Sequence, residues 1–200
     1  AVAGVTVALG LSACSANQSP APTTSAPPPT SEEPAAVELS GQGTLAEPGR
    51  SSNAFTYDPT LAPAGATLTV TLTPTEGATK GKLDVSGLQP NRGYAVHLHA
   101  KPCGRTGDAA GPHFQHKTDP AATPDKPSTD PKYANPDNEV WLDVRTDGTG
   151  AGSSTTEVPF VFTDRAPASV VVHEAMKTAT GPGEAGNAGG RVACFTLPNK

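Results

Sequence analysis

The sequence contains few aromatic residues, no excess of basic charge and no long apolar run. Aromatic residues make up 4% of the 200 positions, and apolar residues do not recur at helical spacing, which argues against a helical bundle. The formal net charge of −5 argues against nucleic acid as the main partner. No apolar run reaches the roughly 18 residues that a membrane-spanning helix needs, so no such helix is expected.

Glycine and proline are abundant, with 21 and 22 residues, which is typical of a loop-rich β protein. Short alternating runs begin near residue 38, and the strongest is Ala66–Thr73. The strands expected are 37–40, 54–57, 66–73, 82–88, 93–99, 139–144, 151–158, 169–173 and 191–197. Strands at this spacing without an amphipathic helix predict an all-β sandwich or Greek-key barrel.

Two long loops, at about 101–138 and 174–190, interrupt this pattern. Loops of this length are usually functional or disordered. Each begins directly after a strand that carries histidine, so we expect both loops to be functional.

The first 14 residues have the pattern of the end of a signal peptide. An apolar run is followed by small residues and Cys14, as in a bacterial lipobox, whose cysteine becomes the lipid-carrying N-terminus. The charged start of such a peptide is missing, so the sequence is expected to begin inside it. Residues 15–37 are rich in Pro, Ser and Thr and predict a disordered tether, which leaves 38–200 as the folded domain. We therefore expect an extracytoplasmic domain, anchored to the bacterial membrane or cell envelope through Cys14.

The segment Gly93–His99 predicts a strand that carries His97 and His99 on one face. Their Cα atoms would lie roughly 6.5–7 Å apart, so both imidazoles could reach one metal ion. The remaining three of the five histidines lie in Gly-Pro-His113-Phe-Gln-His116 and Val-Val-Val-His173-Glu. Imidazoles from separate segments suit copper, zinc, nickel or iron. The alternative is a structural β domain in which the histidines are incidental.

Cys103 and Cys194 remain once Cys14 is assigned to lipidation. An even pair in an exported domain predicts a disulfide. Closing a loop of about 90 residues would stabilise the fold by roughly 4 kcal/mol. Arg191 lies just before Cys194, after a Gly-rich stretch, and by itself would be read as a solvated surface charge.

Four segments together resemble the copper/zinc superoxide dismutases, in the family's order and approximate spacing across residues 66–197. They are Gly93–His99, Ala110–Phe114, Val171–Glu174 and Gly186–Cys194. The resemblance implies an eight-stranded Greek-key β-barrel and the copper-dependent disproportionation of superoxide to oxygen and hydrogen peroxide.

The resemblance also implies a role for each matching residue. The copper ligands would be His97, His99, His113 and His173. Of these, His113 would correspond to the imidazole that bridges copper and zinc. Cys103 and Cys194 would form the family's disulfide. Arg191 would lie beside the copper and attract the superoxide anion, because a guanidinium stays charged at any working pH.

The zinc side of the family's site is not matched. Ala121 stands where the family has a further histidine, and Lys132 and Asn135 fall where it has a His-x-x-Asp pair. Lys177 stands in place of the aspartate that links the two metals' ligands. The sequence therefore predicts copper as cofactor and no zinc.

Without zinc, the far nitrogen of His113 needs another partner. The acidic candidates are Asp137, Glu139 and Asp143, of which Glu139 is preferred. His116 remains as a solvated loop residue, a spare copper ligand or, with Asp137, a makeshift zinc site.

Two functions fit these features. The first is an extracytoplasmic, lipid-anchored superoxide dismutase that uses copper. The second is a non-catalytic copper-binding or copper-delivery lipoprotein on the same fold, because the zinc side is lost and the second loop is short. No large apolar strip marks a dimer surface, so the sequence is compatible with a monomer or a homodimer.

Overall fold

The computed structural model describes residues 1–4, 6, 35–123 and 125–198. The chain divides into two units, residues 1–33 and 34–200, and nearly all of the described residues belong to the second. The predicted lipidation site Cys14 and nearly all of the predicted tether lie outside the described residues. In the described part of the chain, no helix is long and apolar enough to span a membrane.

The described residues of the second unit form ten strands and one short 3₁₀ helix. The elements before the first long loop are β1 (Leu39–Thr44), β2 (Ala54–Thr56), β3 (Thr67–Pro74), β4 (Thr79–Ser86), β5 (Gly93–Tyr94) and β6 (Val96–His99). The later elements are the 3₁₀ helix (Gly107–Ala110), β7 (Val144–Arg145), β8 (Gly152–Val158), β9 (Ser169–His173) and β10 (Arg191–Thr196).

Eight of these strands form two four-stranded antiparallel sheets. The first has the order β1-β3-β4-β8 and the second the order β2-β10-β9-β6, while β5 and β7 pair separately. This arrangement confirms the predicted all-β class.

Strict alternation in β3 explains how the sheets pack. Leu68, Val70 and Leu72 are fully buried, whereas the threonines between them are partly exposed, as expected for a strand with one face on the core. Val172 and Phe195 belong to the same core cluster from the second sheet. Each such side chain stabilises the fold by roughly 1.5–3 kcal/mol. The core therefore fixes the register of β9 and β10, on which the site is built.

The predicted strand at 139–144 is only partly regular. It forms single bridges at Glu139 and Trp141, and the ladder with β5 starts at Val144. Two backbone hydrogen bonds still tie the stretch to β6: Leu98 N–H donates to Val140 O, and Leu142 N–H donates to Val96 O. The irregular stretch runs beside β6, and the side chain of Glu139 reaches His113 on the first long loop.

The predicted disulfide between Cys103 and Cys194 is confirmed, with Cα atoms 5.8 Å apart across 91 residues of sequence. It fastens the start of the first long loop to β10. Two hydrogen bonds support this junction, from Cys103 N–H to Thr196 Oγ1 (3.0 Å) and from Tyr57 Oη to Gly104 O (2.8 Å). The first loop is thereby held against the second sheet.

Candidate metal centre

Four imidazoles converge at one end of the second sheet. His97 and His99 lie on β6, His173 ends β9, and His113 on the first long loop forms a bridge with His99. One ring nitrogen from each histidine lies within 4.8 Å of the others. His97, His99 and His173 are buried, and His113 is half-buried. The structure thus brings four residues from three separate segments into one cluster.

Backbone carbonyls fix the proton position on two of the rings. His99 Nδ1 lies 2.9 Å from Gly111 O, and His173 Nδ1 lies 3.2 Å from Gly189 O. A carbonyl oxygen can only accept, so each Nδ1 carries the hydrogen and donates it. The Nε2 atoms of both rings are therefore left with a lone pair, and they face each other at 3.3 Å.

The other two rings are held by side chains. His113 Nδ1 lies 2.8 Å from Glu139 Oε2, which leaves its Nε2 to face the cluster. His97 is reversed: its Nε2 lies 2.6 Å from Thr178 Oγ1, and its Nδ1 faces His113 Nε2 at 3.0 Å. Three Nε2 atoms and one Nδ1 therefore point at a common centre.

These four nitrogens fit a transition-metal ion. Imidazole holds such ions at about 2.0–2.1 Å, so nitrogens around one ion lie about 3–4 Å apart. The two closest pairs here are 3.0 and 3.3 Å apart, and all four lie within 4.8 Å. An all-imidazole set suits copper or zinc.

Burial keeps three of the rings, those of His97, His99 and His173, in the neutral form that binds metals. Desolvation, followed by the charges of neighbouring histidines, holds the pKa of His97 and of His99 well below the ordinary value. Burial and the proximity of His113 lower the pKa of His173 to about 3. Because only neutral imidazole offers a lone pair, these three rings are ready to bind a metal at neutral pH.

A cavity of about 570 Å³ leads to the cluster. His113, His173, Arg165 and Arg191 contribute to its lining. Arg191 is paired with His173 across the β9–β10 ladder. Its Nη1 and Nη2 each lie 2.7 Å from a carbonyl of the first long loop, at Gly107 and Gly111 respectively. Burial lowers the pKa of Arg191, yet an arginine stays protonated in proteins. The cavity therefore presents a fixed positive charge beside the imidazoles.

The model of the family "copper/zinc superoxide dismutase (SODC)" matches residues 66–196. The chain belongs to the copper/zinc superoxide dismutase family. Its fold is similar to that of the Cu/Zn superoxide dismutase from Brucella abortus, with a TM-score of 0.50 and 19% sequence identity, covering 73% of this chain and 97% of that one. No curated protein matches the sequence.

In this member of the superoxide dismutase family, a carboxylate lies on the outer side of His113. Glu139 is buried and accepts three hydrogen bonds of 2.8 Å, from His113 Nδ1, Trp141 Nε1 and Gln115 Nε2. The other two acidic candidates lie elsewhere: Asp143 accepts from Thr178, and Asp137 is exposed. Glu139 is therefore the acidic residue that orients His113.

Neither His116 nor Asp137 belongs to the cluster of four histidines. The His116 ring stacks on Phe160, with centroids 4.4 Å apart and planes 7° from parallel. Among the described residues, the one group of metal-ligating side chains consists of the four clustered histidines.

Three residues at the site were not singled out from the sequence: Thr178, Trp141 and Gln115. None is a metal ligand or an ion, and each acts by a hydrogen bond to a histidine or to its carboxylate partner. One signal was available for Trp141, the only tryptophan in the chain, because a strand places it on the same face as Glu139.

Proposed function

We propose that this chain is an extracytoplasmic superoxide dismutase that uses copper and no zinc. The observation that carries the proposal is the four-imidazole cluster beside the guanidinium of Arg191. Bound copper would supply a one-electron couple that oxidises one superoxide to oxygen and reduces a second, with the uptake of two protons, to hydrogen peroxide. In this proposal the copper ligands are His97 Nδ1 and the Nε2 atoms of three histidines: His99, His113 and His173.

The role of Arg191 follows from its charge and its anchoring. Superoxide is a small anion, and the chain carries a formal net charge of −5. Attraction must therefore come from a local positive field rather than from the whole molecule. The two loop carbonyls that hold the guanidinium keep this field at the cavity, beside His173.

The absence of zinc is supported by the surroundings of His113. In the family's site that holds both metals, the outer nitrogen of this imidazole would need to be free of hydrogen to bind zinc. Here it donates to Glu139, whose oxygens are already engaged by Trp141 and Gln115. We therefore propose that the carboxylate performs the orienting role that zinc has in the family's pattern.

The location is proposed from the cysteines. A disulfide persists in oxidising compartments, and the Cys103–Cys194 bridge fits an exported domain. We propose that Cys14 carries lipid and that residues 15–37 tether residues 38–200 to the membrane or cell envelope, where the enzyme would meet superoxide outside the cytoplasm.

The decisive experiment measures superoxide consumption by copper-loaded protein. We expect near-diffusional turnover that falls with rising salt and drops in Arg191→Ala. Arg145→Ala is the matched control, because Arg145 is an exposed arginine on β7 and does not line the cavity. Its loss should leave the rate almost unchanged.

Metal analysis of protein loaded with both ions tests the copper-only part. We expect about one copper per chain, and one tightly held zinc per chain would refute the proposal. Tight copper binding without superoxide consumption would instead identify a non-catalytic copper-binding or copper-delivery lipoprotein. If copper does not bind tightly, the result would favour a purely structural β domain.

A further inference from the structure

The buried ring nitrogen of His97 makes its outer contact with a threonine rather than with an acidic residue. His97 Nε2 lies 2.6 Å from Thr178 Oγ1, whereas the nearest oxygen of Asp143 is 3.9 Å away, too far for a hydrogen bond. Thr178 lies on the second long loop and is buried, although its neighbour Lys177 is exposed. The hydroxyl therefore stands between the histidine and the carboxylate.

Asp143 fixes the direction of this chain of hydrogen bonds. Its Oδ1 lies 2.7 Å from Thr178 Oγ1, and its Oδ2 accepts the backbone N–H of Thr178 at 2.7 Å. Val96 N–H also donates to Oδ1 at 3.2 Å. Since a carboxylate only accepts, the Thr178 hydroxyl gives its single hydrogen to Asp143. Its oxygen can then only accept from His97, so Nε2 carries the hydrogen and Nδ1 keeps the lone pair.

We propose that Thr178 and Asp143 form a positioning pair that selects the metal-binding tautomer of His97. This inference rests on the proposed metal role of His97 and extends it to residues that make no contact with the ion. His97 is the one histidine of the cluster that turns Nδ1 inward, so the opposite tautomer would place a hydrogen where the lone pair is needed.

The same contact docks the second long loop. The Thr178 backbone and side chain both bond to Asp143, and Ala95 N–H, next to β6, donates to Ala175 O on that loop. Release of the loop at Thr178 would therefore also release the tautomer of His97. The Thr178–Asp143 pair therefore links the docking of the loop to the tautomer of His97.

The tautomer can be read directly in the metal-free protein by ¹⁵N NMR of histidine-labelled chain. The chain has five histidines, of which His116 lies outside the cluster. Among the four clustered rings, we expect that of His97 in the Nε2–H form and the other three in the Nδ1–H form. Thr178→Val removes the acceptor and should convert or mix the His97 signal, whereas Thr178→Ser keeps the hydroxyl and should restore it. Because no copper is present, this readout is independent of dismutase activity.

A matched control separates positioning from general stability. Thr79, the first residue of β4, is another buried threonine, and its hydroxyl donates to Phe160 O, away from the four clustered histidines. Thr79→Val should lower the unfolding midpoint without changing the His97 tautomer. If Thr178→Val unfolds the chain, Thr178→Ser and Asp143→Asn carry the test.

Asp143→Asn gives the sharpest outcome. The new amide can donate to Thr178 Oγ1, which turns the hydroxyl hydrogen toward His97 Nε2 and favours the Nδ1–H form. We expect copper affinity, measured by competition with a chelator, to fall about 10–100-fold in Asp143→Asn and Thr178→Val, and the Cu(II) EPR spectrum to change. Wild-type His97 in the Nδ1–H form would overturn the proposal. The proposal would also be overturned if neither Asp143→Asn nor Thr178→Val changed the His97 tautomer or the copper affinity.

Discussion

Replacement of Glu139 by glutamine is the most informative perturbation of the centre, because the two side chains have the same shape. The substitution turns one acceptor oxygen of a buried carboxylate into a donor. Oε2 accepts from both His113 and Trp141, whereas Oε1 accepts from Gln115. The new amide will therefore turn its NH₂ group toward Gln115. That side chain cannot rotate freely to compensate, because its own oxygen accepts the backbone N–H of Asp119 at 3.0 Å.

The magnitude follows from this count. At least one buried donor is left without an acceptor, which costs about 1–3 kcal/mol, and the bonds from His113 and Trp141 lose their charge assistance. We expect Glu139→Gln to lower the free energy of unfolding of the metal-free protein by about 2–4 kcal/mol. Copper affinity should fall about 10–100-fold, because the outer partner of a ligand histidine has been weakened.

Chemical denaturation and chelator competition measure the two effects. Glu157→Gln is the control, since Glu157 is exposed on β8 and lies 3.9 Å from Lys80, a surface pair of little energetic weight. It should change the unfolding free energy by less than about 0.5 kcal/mol. If Glu139→Gln matches this control in both assays, the carboxylate does not orient His113 and the reasoning is wrong.

Three further predictions test other contacts. Gly107→Ala would bring a Cβ to 2.9 Å from Arg191 Cβ, so superoxide turnover should fall while copper content stays unchanged. The metal-free protein should lose stability as pH falls from about 6.5 toward 3. In this range His173 takes up a proton in the unfolded chain but not in the folded one, where its pKa is lowered to about 3. The unfolding midpoint, measured as a function of pH, tests this expectation. Cys103→Ser/Cys194→Ser should lower the unfolding free energy by about 4–5 kcal/mol relative to the oxidised protein, because the bridge spans 91 residues.

The strands and the pairing of His97 with His99 on one strand face could be predicted because their signals are local. The alternation of β3 and the His-x-His spacing of β6 each depend on residues two positions apart, which a strand places on one face. The gathering of His113 and His173 with that pair could not be derived from spacing, since only the fold brings the segments together. It was implied by the family resemblance.

The partners of the rings were harder to predict for a physical reason. Glu139 could be found because a carboxylate near the bridging histidine is chemically conspicuous. Thr178 could not, since one hydroxyl among many threonines carries no distinguishing signal. The comparison with the family also pointed one residue away, to exposed Lys177, whereas the buried neighbour makes the contact. The irregular stretch at 139–144 was similarly hidden, because its residues alternate as a strand would while only part of it forms a ladder.

A carboxylate can replace the orienting role of zinc but not its charge. A dication on the outer nitrogen of His113 would require that nitrogen to give up its hydrogen, whereas Glu139 requires it to keep one. In the proposed copper-only centre, His113 therefore acts as a neutral imidazole with its proton held at Nδ1, and the cluster gains no positive charge from a second ion. The fixed charge of Arg191 then supplies a larger share of the attraction for superoxide. Accordingly, the difference in superoxide turnover between the wild type and Arg191→Ala should depend strongly on salt concentration.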